Sequence, residues 1–288
     1  MNTKINQQKI IDYYHSIESR LGYLLLLKGI RHFGYYPIGE EKLSIHEAQL
    51  RMEEQLSKEL NLPRNSHLLD AGCGEGNVAI HLAQNYGYRV TGIDLLDESI
   101  KIARRKAKIA NLETKINFIQ GDYTKVKFPI NYFDGIYTME TLVHVEKFRD
   151  VLKKFRKILS PAGKLVLFEY TLTPENQLTE HQRLIWQNIR TGTGMYGLAK
   201  LYHGIFPILL QEIGFSEIMV EEITPRVIPM LEYFYRLAVV PYTILKILKL
   251  EKVMINAMSA VEGYRDLKVN GSWKYIIASA RKPKSSLS

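Results

Sequence analysis

The chain has 288 residues, of which 46% are hydrophobic and 24% charged, and this is enough for one large domain with a substantial core. Its one cysteine, Cys73, excludes an internal disulfide and a cysteine-based zinc site, and it favours a reducing cytosol. No N-terminal stretch has the pattern of a secretory signal and no apolar run reaches membrane-spanning length, so we expect a soluble, cytoplasmic protein. The formal net charge of +9 suits an anionic partner, but many basic residues surround the apolar stripe of a predicted helix, which favours a solvated helix face.

Residues 1–62 are predicted to form a helical N-terminal extension that covers the active site, because no strand pattern precedes the first glycine-rich turn. The predicted helices span residues 7–19, 21–30 and 44–60. Aromatic residues cluster here beside helix-breaking residues, and they are Tyr13, Tyr14, Phe33 and Tyr35. Such rings either pack locally within the extension or form the wall of a binding pocket.

A glycine-rich turn joins a predicted strand to a predicted helix over residues 67–79. After Asp70 the chain carries Gly72, Gly74 and Gly76, and then a helical pattern begins. Glycines tolerate positive φ and let a ligand approach the backbone, while the helix start offers unpaired N–H groups to an anionic group. The spacing, an acid followed by G-x-G-x-G, differs from the G-x-G-x-x-G fingerprint of dinucleotide-binding turns.

From residue 65 onward, strand patterns alternate with helix patterns, which predicts an α/β fold with a doubly wound, parallel sheet. Acidic residues lie at the ends of the predicted strands, and they are Asp70, Asp94, Asp122, Glu140 and Glu169. Ligands of such sheets bind beyond the carboxyl ends of the strands, so we expect these acids to share one rim. Asp94 follows the turn by about twenty residues, where an acid can accept hydrogen bonds from both hydroxyls of a ribose.

The remainder of the chain is less regular. We predict cap segments at about residues 171–203 and 225–270, within a catalytic domain of residues 63–288. Residues 230–261 are strongly apolar and aromatic at helical spacing, which favours core packing in a helical cap. Residues 245–250 mix lysine with apolar residues, and a second interpretation is that they contact a membrane surface.

Four motifs together resemble those of class I S-adenosylmethionine-dependent methyltransferases. They are the acid and glycines of residues 70–76, Gly92-Ile93-Asp94, Gly121-Asp122-Tyr123, and the Leu-Ser-Pro-Ala-Gly-Lys of residues 159–164. A narrower resemblance is to the sterol C-methyltransferase and tocopherol methyltransferase group, which includes isoprenyl diphosphate C-methyltransferases. It rests on Tyr13-Tyr14, on His32-Phe33-Gly34-Tyr35 and on Met139-Glu140-Thr141-Leu142-Val143-His144. The resemblance implies a seven-stranded, mostly parallel, Rossmann-like sheet with a helical N-terminal extension and a helical cap insertion.

The resemblance also implies S-adenosylmethionine as the cofactor. The three glycines would back its methionine part beside Asp70, Asp94 would hold the ribose hydroxyls, and Leu95 would flank the adenine. Asp122 would accept a hydrogen bond from the adenine amino group, with Tyr123 close by. Each acid alone could be an ordinary capping or turn residue, but their succession at adjacent strand ends favours the cofactor.

Residues at the end of the fourth predicted strand help to identify the class of molecule that accepts the methyl group. Residues 138–141, Thr-Met-Glu-Thr, stand where methyltransferases that act on base amino groups usually carry Asn/Asp-Pro-Pro-Tyr, which argues against a nucleic acid acceptor. The resemblance implies a lipophilic, isoprenoid-like molecule methylated at carbon. The alternative is methylation at nitrogen or oxygen of a small natural product or quinone precursor. A nicotinamide oxidoreductase, a membrane-surface binding module and the oligomeric state all remain open.

Methylation of an alkene carbon leaves a carbocation, which needs aromatic faces to stabilise it and a base to remove a proton. The predicted substrate-binding residues are Tyr13, Tyr14, Phe33, Tyr35, Tyr170 and Trp186. The predicted bases are Glu169, His144 and Glu140; we place Glu169 first because it follows an apolar strand, where burial raises a carboxyl pKa. A paired acid and a structural histidine are the simpler interpretations of Glu169 and His144.

Methyl transfer itself requires no metal, so the sequence predicts no metal site, and Mg²⁺ would enter only with a diphosphate substrate. Basic residues of the cap could hold such a diphosphate, and they are Arg183, Arg190, Lys200 and Arg236.

Overall fold

A seven-stranded sheet forms the centre of the computed structural model, which describes residues 3–250 and 253–284. The strands are β1 (His67–Ala71), β2 (Arg89–Asp94), β3 (Ile116–Gln120), β4 (Phe133–Met139), β5 (Leu159–Leu172), β6 (Ser216–Glu222) and β7 (Trp273–Arg281). Their order is β3-β2-β1-β4-β5-β7-β6, and β7 alone runs antiparallel to its two neighbours. The predicted α/β fold with a doubly wound, mostly parallel sheet is therefore confirmed.

Ten α-helices accompany the sheet in the described ranges. They are α1 (Thr3–His15), α2 (Ile17–Leu27), α3 (Ile45–Leu60), α4 (Asn77–Asn85), α5 (Asp97–Ile109), α6 (Phe148–Ile158), α7 (Glu180–Thr193), α8 (Ile205–Ile213), α9 (Thr224–Ile247) and α10 (Ile255–Asn270). The core packs α3 against α4 and α4 against α5, while α6 packs against α8. On α6 the buried residues Val151, Leu152 and Phe155 recur at helical spacing, so its apolar stripe faces the sheet.

The N-terminal helices differ in their bounds from the prediction. The helical structure is interrupted at Ser16, between α1 and α2. The Ser16 hydroxyl accepts a hydrogen bond from the Ser19 N–H (3.2 Å) and so caps α2. By contrast, α3 begins where the sequence predicts, because Ser44 and Glu47 form a reciprocal capping box. Sequence periodicity identified the helical character of this region, and side-chain capping determined where each helix starts.

The fifth strand includes the Leu-Ser-Pro-Ala-Gly-Lys motif of residues 159–164. It starts at Leu159, and its register against β4 shifts within this motif. A Cβ at Gly163 would lie 2.7 Å from the Ser160 carbonyl oxygen, so this tight excursion requires glycine.

Helices of the N-terminal extension and of the predicted cap pack against each other. Contacts join α1 to α7, α7 to α10, and α10 to α9. Side-chain hydrogen bonds reinforce these contacts: Tyr13 donates to Asn256 (2.6 Å), Trp186 donates to Asp266 (3.0 Å), and Glu18 accepts from the Ala257 N–H (3.0 Å). The domain bounds of residues 1–62 and 63–288 stay a prediction, and positions 1, 2, 251, 252 and 285–288 within them lie outside the described residues. None of the described helices is both long and apolar enough to cross a bilayer.

Candidate active site

Two neighbouring cavities open at the carboxyl ends of the parallel strands. The first has a volume of about 380 Å³ and is lined by the glycine turn, by the ends of β2 and β4 and by one face of α1. It brings together most of the predicted cofactor residues, and those that line it are Asp70, Gly72, Gly74, Asp94, Leu95, Asp122 and Tyr123. The strand-end acids therefore share one rim, with the exception of Glu169.

The glycines of the turn have separate structural reasons. Gly72 has φ +97°, and a Cβ there would lie 2.4 Å from the Thr141 Cγ2, so no other residue fits. Gly76 has φ +77°, and the Phe118 ring packs where a side chain would be. A Cβ added at Gly76 would lie 2.4 Å from the Phe118 Cζ. Gly72 and Gly74 line the first cavity but Gly76 does not. The structure therefore places Gly76 against the sheet and not, as predicted, behind the cofactor.

Asp94 holds the turn in its ligand-binding shape. Its carboxylate accepts hydrogen bonds from the Gly74 N–H (2.8 Å) and from the Leu96 N–H (2.9 Å). Burial raises the pKa of Asp94 above its ordinary value, and these backbone donors oppose the shift. Asp94 and Leu95 both line the cavity, and their contacts with a ribose and an adenine stay a prediction.

The surroundings of Asp70 indicate whether the first cavity fits S-adenosylmethionine. The side chain is buried and its Oδ2 has no hydrogen-bond partner within the protein. Burial raises its pKa to about 7, whereas the neighbouring Tyr137 hydroxyl lowers it. A buried, unpartnered carboxyl oxygen beside bare glycine backbone suits a ligand that carries an ammonium group, so these residues fit the methionine part of the cofactor.

The N-terminal helix closes over the cavity at Asp122. Asp122 accepts from the Thr124 N–H (2.9 Å) and hydroxyl (2.6 Å), and its other oxygen accepts from Lys125 and from the Gln7 side-chain amide. Burial acts to raise the pKa of Asp122, but the bonds to Thr124 and Lys125 outweigh it and lower the pKa. Asn6 and Gln7 both line the cavity, and sequence reasoning missed them because they belong to no motif.

The second cavity lies between the N-terminal extension and the cap helices. It has a volume of about 760 Å³ and is mostly apolar. The predicted aromatic residues that line it are Tyr13, Tyr14, Phe33, Tyr170 and Trp186. Tyr35 was predicted with them, but it lines neither cavity and packs against the core.

Five residues line both cavities, and they are Tyr14, Arg31, His32, Glu140 and His144. This shared set forms the boundary across which a group could pass from a ligand in the first cavity to a ligand in the second. Two of its members, Glu140 and His144, are predicted bases.

Glu140 is held by three donors. One oxygen accepts from the Phe33 N–H (2.7 Å) and the Tyr275 hydroxyl (2.8 Å), and the other accepts from the Tyr170 hydroxyl. Burial raises the pKa of Glu140, and the bonds from Tyr170 and Phe33 oppose the rise. Glu140 also has φ +60°, which is unusual for a non-glycine residue. Tyr275 was missed by sequence reasoning because it lies on the last strand, far along the chain from Glu140.

His144 is positioned in one tautomer. Its Nδ1 lies 3.0 Å from the Gly194 carbonyl oxygen, which can only accept, so Nδ1 carries the proton. Its Nε2 then accepts from the Tyr14 hydroxyl at 3.2 Å. Burial lowers the pKa of His144, which keeps the imidazole neutral.

Glu169, which the sequence placed first among the predicted bases, lies outside both cavities. The side chain is 0% exposed and lines neither cavity. Its Oε1 accepts from the Thr138 hydroxyl (2.9 Å) and the Leu142 N–H (2.9 Å), and burial raises its pKa to about 8. Successive residues of a strand point to opposite faces, so Tyr170 reaches the second cavity and Glu169 supports the turn after β4. The structure thus does not bring Glu169 to the acceptor.

The basic residues proposed for a diphosphate also lie away from both cavities. Arg183 donates to the Leu178 carbonyl, Arg190 and Arg236 pair with glutamates of their surroundings, and Lys200 donates to the Glu146 carbonyl. Among the described residues, Arg31 is the only lysine or arginine that lines the second cavity. The described residues also contain no cluster of His, Cys, Asp or Glu that could hold a metal ion.

Comparisons with known proteins agree with this geometry. A family model described as "Methyltransferase domain" matches residues 69–167. The S-adenosyl-L-methionine-dependent Diels-Alderase iccD of Talaromyces variabilis is 34% identical over 96% of both chains. The sterol 24-C-methyltransferase erg-4 of Neurospora crassa is 29% identical over 70% of this chain, which spans 52% of the length of that enzyme. The structure of the cyclopropane synthase MmaA2 from Mycobacterium tuberculosis has a similar fold, with TM-score 0.80 and 17% identity over 96% of this chain and 98% of that one.

The fold and the cavity at its strand ends are those of a class I S-adenosylmethionine-dependent methyltransferase. More narrowly, the chain belongs to the methyltransferase group that contains the sterol C-methyltransferases, as its motifs imply.

Proposed function

We propose that this enzyme transfers a methyl group from S-adenosylmethionine to a carbon of a neutral, lipophilic alkene of isoprenoid type. The observation that carries the proposal is the position of Glu140, a triply hydrogen-bonded carboxylate on the boundary between the two cavities. A base at this boundary is placed to remove a proton from a carbon beside the cation that methylation leaves on the acceptor.

The first cavity supplies the cofactor site. Asp70, Gly72, Gly74 and Asp94 would hold S-adenosylmethionine, and Gln7 with Asp122 would close its adenine end. When bound, the cofactor supplies an electrophilic methyl group on a sulfonium. The role of the protein is then to align the acceptor and exclude water.

The residues of the second cavity suit the cation that forms on the acceptor. An alkene that gains a methyl group uses its π electrons for the new C–C bond and carries a positive charge on the adjacent carbon. The rings of Phe33 and Tyr170, which meet edge to face at 6.0 Å, offer π faces in an apolar enclosure. Loss of a proton from the neighbouring carbon to Glu140 restores a double bond. His144, with Tyr14, is the second base in reach of the boundary.

The charge of the second cavity supports a neutral acceptor. A diphosphate buried there would have Arg31 as its one lysine or arginine partner among the described residues, and this guanidinium already lies 3.8 Å from Glu75 and 4.9 Å from the Tyr14 ring centre. An uncompensated buried anion costs several kcal/mol. We therefore favour a sterol-like or neutral polyene acceptor over a prenyl diphosphate, and no Mg²⁺ accompanies it.

A second candidate function comes from the similarity to the Diels-Alderase iccD over 96% of both chains. In that case the cofactor would stay bound without giving up its methyl group. The second cavity would fold a polyene so that a diene and an alkene of the same molecule form two C–C bonds, with no atom gained or lost. Its apolar walls and volume suit both reactions.

The test is product analysis. The full-length protein is incubated with S-adenosylmethionine and with sterols, neutral polyenes, prenyl alcohols or prenyl diphosphates, and the products are identified by mass spectrometry and NMR. A product heavier by one methylene, with the new methyl on carbon and S-adenosylhomocysteine released, supports methyl transfer. An isomer of unchanged mass without S-adenosylhomocysteine supports cyclisation. A methyl on nitrogen or oxygen overturns carbon methylation.

A further inference from the structure

The mouth of the second cavity is built from exposed apolar side chains. Six residues line this cavity and are also exposed, and they are Ile17, Leu21, Leu26, Leu237, Pro241 and Val253. They come from α2, from α9 and from the segment before α10. No charged residue in the described ranges shares both properties.

The apolar surface continues outward from this rim along both helices. On α2, Leu24 and Leu25 are exposed next to the rim residues. Towards its end α9 exposes Ile244 and Ile247, and Leu248 follows them. We call Leu24, Leu25, Ile244, Ile247 and Leu248, together with the six rim residues, the mouth surface. Eleven exposed apolar side chains on the helices around one cavity opening suggest an interaction site.

Lysines accompany the mouth surface. Lys28 follows α2, and Lys246 and Lys249 lie among the exposed apolar residues at the end of α9. Helices that expose an apolar face with lysines at its edge are typical of surfaces that lie in the headgroup region of a bilayer. In a symmetric dimer through this surface the same lysines would face each other, and their repulsion would oppose association.

We propose that the mouth surface docks on an anionic lipid bilayer, with the opening of the second cavity against the acyl boundary. The apolar side chains enter the interface while Lys28 and Lys249 meet lipid phosphates. A lipophilic acceptor can then pass from the bilayer into the cavity without crossing water. This entry route rests on the proposed function, but the binding to lipid does not.

The test uses vesicle co-sedimentation of the full-length protein without cofactor or acceptor. The vesicles contain phosphatidylcholine alone or with about one third phosphatidylglycerol. We expect binding to the anionic vesicles, weakened by salt. The double variant Leu25→Glu/Ile247→Glu should reduce the partition coefficient by about tenfold or more, because both side chains lose their apolar contact with lipid.

A matched control variant distinguishes the loss of apolar side chains on the mouth surface from the effect of two added negative charges. Ile109→Glu/Ile130→Glu adds the same charge at residues outside the mouth surface; Ile109 and Ile247 are both 76% exposed. This control should bind vesicles nearly as well as the parent protein. Circular dichroism melting of both variants verifies folding.

Three outcomes would overturn the docking proposal: no binding of the parent protein to either vesicle, equal loss in the two double variants, or a dimer in solution that the Leu25→Glu/Ile247→Glu variant abolishes. Failure of the product analysis would leave the vesicle result unchanged, so the two proposals can fail separately.

Discussion

At the scale of single residues, Glu140 combines features that suit the base proposed above. Its left-handed backbone conformation costs roughly 1–3 kcal/mol. Two tyrosine hydroxyls and a backbone N–H then orient the carboxylate from three directions. The fold thus holds the carboxylate in a fixed orientation on the boundary of the two cavities, despite the cost in backbone strain. A base that removes a proton from a bound molecule needs such a fixed orientation.

The first prediction concerns the Glu140→Gln variant. Gln keeps an acceptor for the Phe33 N–H but cannot take a proton at neutral pH. Turnover should fall by about 10²-fold or more, while the dissociation constant for S-adenosylmethionine stays within about twofold. Steady-state kinetics and calorimetric titration measure the two quantities. Full turnover in this variant would exclude Glu140 as the base.

The second prediction concerns Glu169→Gln, which serves as the matched control. Because burial raises the Glu169 pKa to about 8, the folded state holds a proton on it over a pH range in which the unfolded chain does not. The contribution of Glu169 to stability should therefore be complete below its unfolded pKa of roughly 4.3 and be lost as the pH rises to about 8.

Glu169→Gln should weaken this fall in stability, while Asp70, with a pKa of about 7, preserves part of it. Urea unfolding at about pH 5 and about pH 8 measures the effect. Turnover of this variant at neutral pH should remain near that of the parent protein. A complete loss of turnover in folded protein would restore Glu169 to the mechanism.

At the scale of elements, the glycine turn shows how a cofactor motif also serves packing. Gly72 and Gly74 border the cavity, whereas Gly76 lets the turn lie on the Phe118 ring of β3. The same three-glycine pattern therefore has separate physical causes: Gly72 leaves room for the Thr141 side chain, and Gly76 leaves room for a ring of a neighbouring strand.

The third prediction compares two glycine variants. Gly76→Ala adds a methyl group 2.4 Å from Phe118 at φ +77°, while Gly39→Ala has a similar φ of +84° and no atom within 4 Å. Both should lose about 1 kcal/mol to backbone strain, and Gly76→Ala should lose about 1–3 kcal/mol more to overpacking. Urea unfolding gives both values. Equal destabilisation would mean that Phe118 moves freely.

At the scale of the whole molecule, the two cavities come from different parts of the chain. The carboxyl ends of the strands, their turns and part of the N-terminal extension form the first, while the N-terminal extension and the cap helices enclose the second. Hydrogen bonds such as Tyr13 to Asn256 join segments at opposite ends of the sequence around the second cavity. The second cavity thus depends on contacts between distant segments, whereas the first is built mainly on the sheet.

The fourth prediction concerns the charge of the acceptor. Because Arg31 is the only described lysine or arginine of the second cavity, a prenyl alcohol should be used with a kcat/KM about tenfold or more above that of its diphosphate. Mg²⁺ should leave the rate with the alcohol unchanged. Competition assays with both acceptors measure the ratio. A preference for the diphosphate would contradict the proposed neutral acceptor.

The sequence by itself determined the order of strands and helices, the glycine turn and the acids at the strand ends. These features follow from local periodicity and from backbone conformations that only glycine adopts easily. It also placed Tyr14, Glu140 and His144 in the site, because each lies in or beside a short motif.

Only the tertiary structure decided which face each strand residue takes and which distant residues meet. Glu169 and Tyr170 are neighbours on β5 and so face opposite sides of the sheet, and the packing around the sheet decided that the cavity lies on the side of Tyr170. Tyr275 donates to Glu140, and Gln7 donates to Asp122, across the fold. No pattern in the sequence predicts either contact. Local periodicity encodes elements, whereas such contacts depend on packing between segments far apart in the chain, which no short window of sequence contains.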